Sequence, residues 1–351
     1  MPKIEIINTG HIDRSDSAFP TTVLLENRDI ICGFSVGGGA LVNGGTYCAR
    51  SSDGGRTWSE KRPILEPTNN PRIINHLRLS RDNDGTILAY GQKDYHTQSG
   101  KENKANECQA VLCQSKDGGH TWSPPQVVPL PIPGPYEISN PIVVDDDGRW
   151  LAPVASYHNG RYGEQVILFE STDRGTTWSN TYTVFEHARR EVGYLEQKIA
   201  TCGPNRLIGT AWCQDYDKDT DLRNAYAFSA DGGRTWDGPY DTGIQGQTLT
   251  PLWIEGNRFL VLYNRRYGHQ SIQMCLIRAD NDLWEIEFEG MMFDGQASLE
   301  WTDNLSSQEQ ISLIAFGFPT AIRLSNETFL ATHWCEEDGV CGIRWTQLRI
   351  H

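Results

Sequence analysis

Short apolar runs alternate with polar turns along the whole chain, and helical periodicity is nearly absent. Gln109-Ala-Val-Leu-Cys-Gln and Val166-Ile-Leu-Phe-Glu each lead into a turn. Elsewhere two such runs flank a turn that holds Gly or Asn. His76-Leu-Arg-Leu-Ser-Arg-Asp-Asn-Asp-Gly85-Thr-Ile-Leu-Ala-Tyr is one case, and Pro251-Leu-Trp-Ile-Glu-Gly-Asn257-Arg-Phe-Leu-Val-Leu-Tyr is another. Period-two runs joined this way predict antiparallel hairpins. Similar units begin at Pro141, Lys198 and Pro319.

A second pattern sets how the hairpins are grouped. Ser-x-Asp-x-Gly-x-Thr-Trp occurs at Ser51–Trp58, Ser115–Trp122, Ser171–Trp178 and Ser229–Trp236, with a degraded copy at Arg278–Trp284. Each full copy follows an apolar strand, where the chain must turn back. Asp accepts turn N–H groups, Gly supplies a positive φ, and Trp anchors the turn on the sheet. The five aspartates, Asp53, Asp117, Asp173, Asp231 and Asp280, are about 57 residues apart on average, which fits six units into 351 residues. A four-stranded sheet fills such a unit. The expected fold is all-β, a six-bladed β-propeller in one domain over 1–351. The strand Lys3 to Ile7 pairs with Gly342 to Leu348 to close the ring and remove its free edges.

Composition narrows the partners. The net charge is −14 with no offsetting Lys/Arg cluster, so neither nucleic acid nor membrane is expected as a partner. The N-terminus has no apolar signal region, and the nine cysteines form no CxxC. A cytoplasmic protein with reduced thiols is the expectation, or a secreted one if a signal has been removed. No metal or cofactor motif is present, and nothing in the pattern sets an oligomeric state.

The four boxes and this layout resemble the sialidase superfamily of Asp-box (BNR) repeat proteins over essentially the whole chain. The resemblance implies an axial site opposite the Asp-box rim. It also implies a first-blade Arg-Ile-Pro, a loop Asp, a Glu, two further Arg and a late Tyr nucleophile. Here those positions read Ala18-Phe19-Pro20, Asn43, Glu196 in Gly193-Tyr194-Leu195-Glu196, Trp212, Arg265 or Arg266, and Phe316-Gly-Phe318. Only one arginine of three remains, and phenylalanine is no nucleophile. Sialidase chemistry is therefore not expected.

What remains near the predicted axial strand starts is a different polar set. Glu137 and Glu196 begin neighbouring blades and suit a carboxylate pair for glycoside hydrolysis. His76 and Tyr194 join them as candidate acid/base groups. Arg72, Tyr136, His158, Trp212, Gln247, Arg265 and His333 are candidates for binding an oligosaccharide or glycoside, with Tyr157, His269 and Arg161 near the same strand ends. An exo-acting glycosidase leads. A uronate lyase using His or Tyr with Arg is the alternative, and a sugar-binding propeller without turnover is the third.

Overall fold

The alternating runs become six antiparallel sheets of four or five strands arranged in a ring, seen in a computed structural model that describes residues 2–96, 108–158, 161–295 and 314–351. Blades 1, 2, 4, 5 and 6 have as innermost strands Ser17–Leu24, Arg72–Arg81, Val192–Thr201, Gln247–Glu255 and Phe316–Arg323. Blade 3 begins with two short pieces, Tyr136–Glu137 and Val143–Val144, on either side of an irregular stretch. The long strands of blades 1 to 5 follow outward in chain order, with the two-residue strand Thr68–Asn69 on the inner edge of blade 2.

Blade 6 is completed from both ends of the chain. Its outermost strand is Ile4–Asp13, which pairs with Val340–Ile350 from Ile4 opposite Ile350 to Asp13 opposite Ile343. The expected pairing of the two ends is thus present.

The core lies between blades. Leu151, Val166 and Leu168 of blade 3 pack with Tyr194, Ile199 and Leu207 of blade 4, and comparable clusters fill the other seams. All nine cysteines are unpaired, eight of them buried. Among the described residues, no helix is long and apolar enough to cross a membrane.

The four boxes close the turn between the third and fourth strands of blades 1 to 4, and they repeat one hydrogen-bond set. In each, the Ser hydroxyl donates to the Asp carboxylate at 2.8–2.9 Å and accepts the N–H of the Gly four residues on at 2.8 Å. The Thr amide and hydroxyl donate to the same carboxylate. The backbone N–H of Thr57 and then its hydroxyl hold the Asp53 carboxyl down at about 2. The boxes are turn staples whose Asp carboxylates are bonded from several sides.

One irregularity recurs at the axis. In blades 1, 4, 5 and 6 two residues of the innermost strand face one on its partner, a β-bulge. The first residue of each bulge is left-handed and is not glycine: Phe19 (φ 58°), Glu196 (φ 47°), Thr248 (φ 48°) and Phe318 (φ 52°). Such residues carry a backbone cost of about 1–3 kcal/mol each, and they persist only where the surrounding structure enforces them. The bulge turns a side chain that strict alternation would send into a seam.

Candidate functional site at the propeller axis

Those turned side chains meet a set of buried cations. Glu137 ends the first strand piece of blade 3, and its Oε1 accepts the Ser139 hydroxyl at 2.6 Å and the Glu196 backbone N–H at 2.6 Å. Its Oε2 has no partner among the described residues. Glu137 and Glu196 keep some contact with solvent but are ringed by protein. Burial first, then the neighbouring Glu196 charge, push the Glu137 carboxyl up to about 7 against the opposing bonds. Glu196 is also raised by burial, with Lys198, Arg266 and Arg78 acting to keep it ionised.

The three cations come from three blades. Arg78, 4% exposed, lies 5.3 Å from the Phe19 ring centre and 4.8 Å from that of Phe318, and its Nε and Nη1 have no partner among the described residues. Lys198, 3% exposed, donates to the Ser139 carbonyl at 2.5 Å and stands 3.5 Å above the Phe318 ring. Arg266 donates from Nε to Gln247 Oε1 at 3.1 Å and from Nη2 to the Phe316 carbonyl, while its Nη1 is unpartnered. Burial lowers both guanidinium groups to about 10, the Arg78 group against the pull of Glu196 and Glu137, the Arg266 group against that of Glu196. Unpartnered N–H groups on buried cations are costly, and a ligand with oxygen acceptors would satisfy them.

The candidates from sequence divide by location. Glu137, Glu196, His76 and Gln247 lie in this cluster. His76 shares a strand face with Arg78, two residues on, and burial, then Arg78, drive its pKa down to about 3. Tyr157 is 38% exposed, stacks on Tyr162 with ring centres 4.1 Å apart, and feels the charges of both glutamates. Trp212 is half-buried with its indole N–H unpartnered, on the face that blade 4 turns to blade 5, where Thr210 bonds the Leu249 carbonyl.

Other candidates fall elsewhere. Tyr194 stacks on Phe185 in the seam between blades 3 and 4, at the edge of a shallow cleft of about 430 Å³ on the flank of blade 4. Tyr194 and Ile199 face the same core five residues apart, because the bulge between them adds one residue to the alternation. Arg265 turns outward to the His269 carbonyl, and its neighbour Arg266 is the one that enters the axis. Arg72 is exposed and bonds Asn43. Tyr136 packs against the cluster between blades 2 and 3. His333 is wholly buried against Phe293 on the second strand of blade 6. His269 pairs with Asp294 at 2.9 Å, and Arg161 with Glu164 at 3.0 Å. His158 ends a strand, and its side chain lies outside those described.

Sequence reasoning passed over Arg78, Lys198, Ser139 and the Phe19–Phe318 wall. Two of these had a signal: Arg78 is two residues from His76, and Lys198 is two from Glu196.

A ring of six sheets stapled by Asp boxes, with a polar cluster on the axis, defines a propeller of the sialidase superfamily. Within it, residues 45–285 match the BNR repeat-like domain, and the protein belongs to that family. A crystal structure of a protein of unknown function from Dyadobacter fermentans superposes with a TM-score of 0.76 at 20% identity, covering 100% of both chains. A sialidase from Streptococcus pneumoniae gives 0.65 at 11% identity, over 99% of this chain and 70% of that one. An α-L-arabinanase from Penicillium chrysogenum, complexed with arabinobiose, gives 0.60 at 12%, over 98% of each. These likenesses establish the shared fold. No curated protein matches the chain by sequence.

Proposed function

We propose that the protein is a glycoside hydrolase, exo-acting on a short oligosaccharide bound at the axis, with Glu137 as general acid and Glu196 as the ionised carboxylate. The observation that carries this reading is the 2.6 Å bond from the Glu196 amide to Glu137 Oε1. A glutamate side chain reaches about 5 Å from its own nitrogen, so the two carboxyls lie within about 8 Å of one another, the span that glycosidase pairs use.

The roles follow from the surroundings. Three cations act on Glu196, whereas Glu137 has the Glu196 charge beside it and two cations, Lys198 and Arg78, acting on it. The shared proton therefore rests on Glu137, on the Oε2 that nothing else engages. From there it passes to the glycosidic oxygen, while Glu196 meets the anomeric centre directly or through a water. Arg78 and Arg266 offer their free N–H groups to sugar oxygens. The sialidase and arabinanase neighbours support a glycan substrate. Ala18, Trp212 and Phe318 at the family's Arg, Arg and Tyr positions argue against a sialoside. Nine unpaired cysteines fit a cytoplasmic location.

Uronate elimination is a second reading, favoured by His76, which burial keeps neutral beside Arg78 with Nδ1 unpartnered. One experiment separates the two. Incubation with a panel of plant and bacterial oligosaccharides, read for new reducing ends and for ultraviolet absorbance of an unsaturated uronate, is expected to give reducing ends alone. The absorbance would transfer the assignment to elimination, and turnover of no glycan would leave a binding protein.

A further inference from the structure

The seam beside the axis between blades 3 and 4 is bonded side by side over four residues. Glu196 N–H donates to Glu137 Oε1, and Gln197 Nε2 to the Glu137 carbonyl at 3.3 Å. Lys198 Nζ donates to the Ser139 carbonyl at 2.5 Å. Ile199 N–H donates to Asn140 Oδ1, and Asn140 Nδ2 returns to the Ile199 carbonyl, each at 3.2 Å. On the blade 3 side this segment is the break between two strand pieces, so its own sheet does not fix it.

Three of these five bonds join uncharged groups, and a fourth ends on the Glu137 carboxyl. The fifth places an ammonium where water hardly reaches, over an aromatic face and close to two carboxyls. Burying a charge for one carbonyl bond is poor economy for a mere fastener, because a glutamine there keeps a donor without that cost. The charge itself must act on its neighbours.

We propose that Lys198 is the positioning residue of the carboxyl pair: it fixes the Ser139 segment that carries Glu137, and its charge keeps Glu196 the ionised member. This rests on the hydrolase reading for its consequence in turnover, but not for its effect on the carboxyls. The groups facing the ammonium are Glu196 on its own strand, Glu137 from blade 3 and Arg78 from blade 2. Arg266 from blade 5 and His76 beside Arg78 complete the surroundings. Burial brings the lysine down to about 7. The amine thus loses its proton as pH rises through neutrality, and Glu196 then loses the strongest of its three compensating charges.

The test is a pH titration of glutamate side-chain carboxyls by carbon NMR on the full protein without ligand, with the Glu196 signal identified by its absence in Glu196→Gln. Lys198→Gln keeps a donor near Ser139 but removes the charge, and is expected to raise the Glu196 midpoint by about one pH unit or more. Lys198→Arg restores the charge and should return the midpoint toward that of the parent. Lys198→Met gives the same rise as glutamine where it folds. An unchanged midpoint in the folded glutamine variant would overturn the proposal, leaving Lys198 a fastener only. The titration needs no substrate, so silence of the glycan panel would end the hydrolase reading and leave this result standing. With a cleaved glycan in hand, the acid limb of the pH–rate profile should move upward in Lys198→Gln and not in Lys198→Arg.

Discussion

Arg149 and Arg78 are both buried arginines, 6% and 4% exposed, and their surroundings treat them in opposite ways. Arg149, on the Asp-box side, bonds Asp145 at 2.8 Å, Glu170 at 2.6 Å and the Gly232 carbonyl of the next blade's box at 2.8 Å. Burial works against its charge, but the bond from Glu170 and the Asp145 charge outweigh it and raise its pKa. Arg78, on the axis, has two N–H groups with no partner among the described residues and a lowered pKa. The carboxyls follow the same division: those of the boxes are bonded and lowered, those of the axis crowded and raised. A structure that satisfies one buried arginine completely has the means to satisfy another. Polar groups left crowded, left-handed and unpartnered on the axis are the ones a ligand bound there, under the proposed function, would satisfy.

Four measurements press on that contrast. The largest effect is expected on the axis. Glu196→Gln keeps shape but removes charge and proton transfer, and should cut turnover by about 100-fold or more with the fold intact. Glu137→Gln should do the same, and the double variant should lose less than the product of the two. Normal turnover in either variant would remove that residue from the pair.

Next comes the pH dependence of stability. The folded-state pKa of Glu137 lies above its usual 4.5, at about 7. Its contribution is then full below about 4.5 and is lost as pH rises through 7. Melting of Glu137→Gln relative to the parent should therefore improve from pH 4.5 to 7.5, by on the order of 2 kcal/mol. The boxes work in another window. The depressed Asp53 carboxyl contributes above about 3.8 and loses its contribution as pH falls through 2. A parallel pH dependence for Glu137→Gln and Asp53→Asn would erase the distinction between the regions.

On the rim, Asp117→Ala removes the acceptor of Ser115, His120 and Thr121 donors. A loss of about 1–2 kcal/mol is expected for this exposed turn, with turnover per folded molecule unchanged. A large fall in turnover at constant melting would move the boxes from scaffold to site. The smallest effect is expected at the degraded box. Asp280 accepts only Arg206 and the Asn281 amide among the described contacts, so Asp280→Ala should stay within about 0.5 kcal/mol of the parent by thermal melting.

These regions were not equally legible in the sequence. The boxes repeat because each must close the same turn with the same bonds, so Ser51, Asp53, Thr57 and Trp58 announce a geometry by themselves. The axis is built once, from residues far apart in the chain, and nothing repeats there. Glu137 and Glu196 were visible as carboxylates at strand starts. The bulges were not visible, because a left-handed Phe19, Glu196 or Phe318 runs against what those residue types favour. Strict alternation puts Tyr194 on the face of Glu196, two residues on, whereas the fold packs it on Phe185. Arg265 and Arg266 show the same limit at a strand end, where one residue of slip exchanges the inward side chain for the outward one.

The pairing of Ile4 with Ile350 has a consequence in time rather than in space. Within a blade, strands that follow one another in sequence find their partners locally. The sixth blade must instead bring together segments separated by almost the entire chain, and that search meets its entropic cost before any contact repays it. A ring without its sixth blade has two uncovered ends, and its axis is one wall short. Phe318 supplies that wall beneath Arg78 and Lys198, so refolding followed at Trp334 or Trp345 should end together with the appearance of the site. Fluorescence that settles before the site forms would separate closure of the ring from completion of the axis.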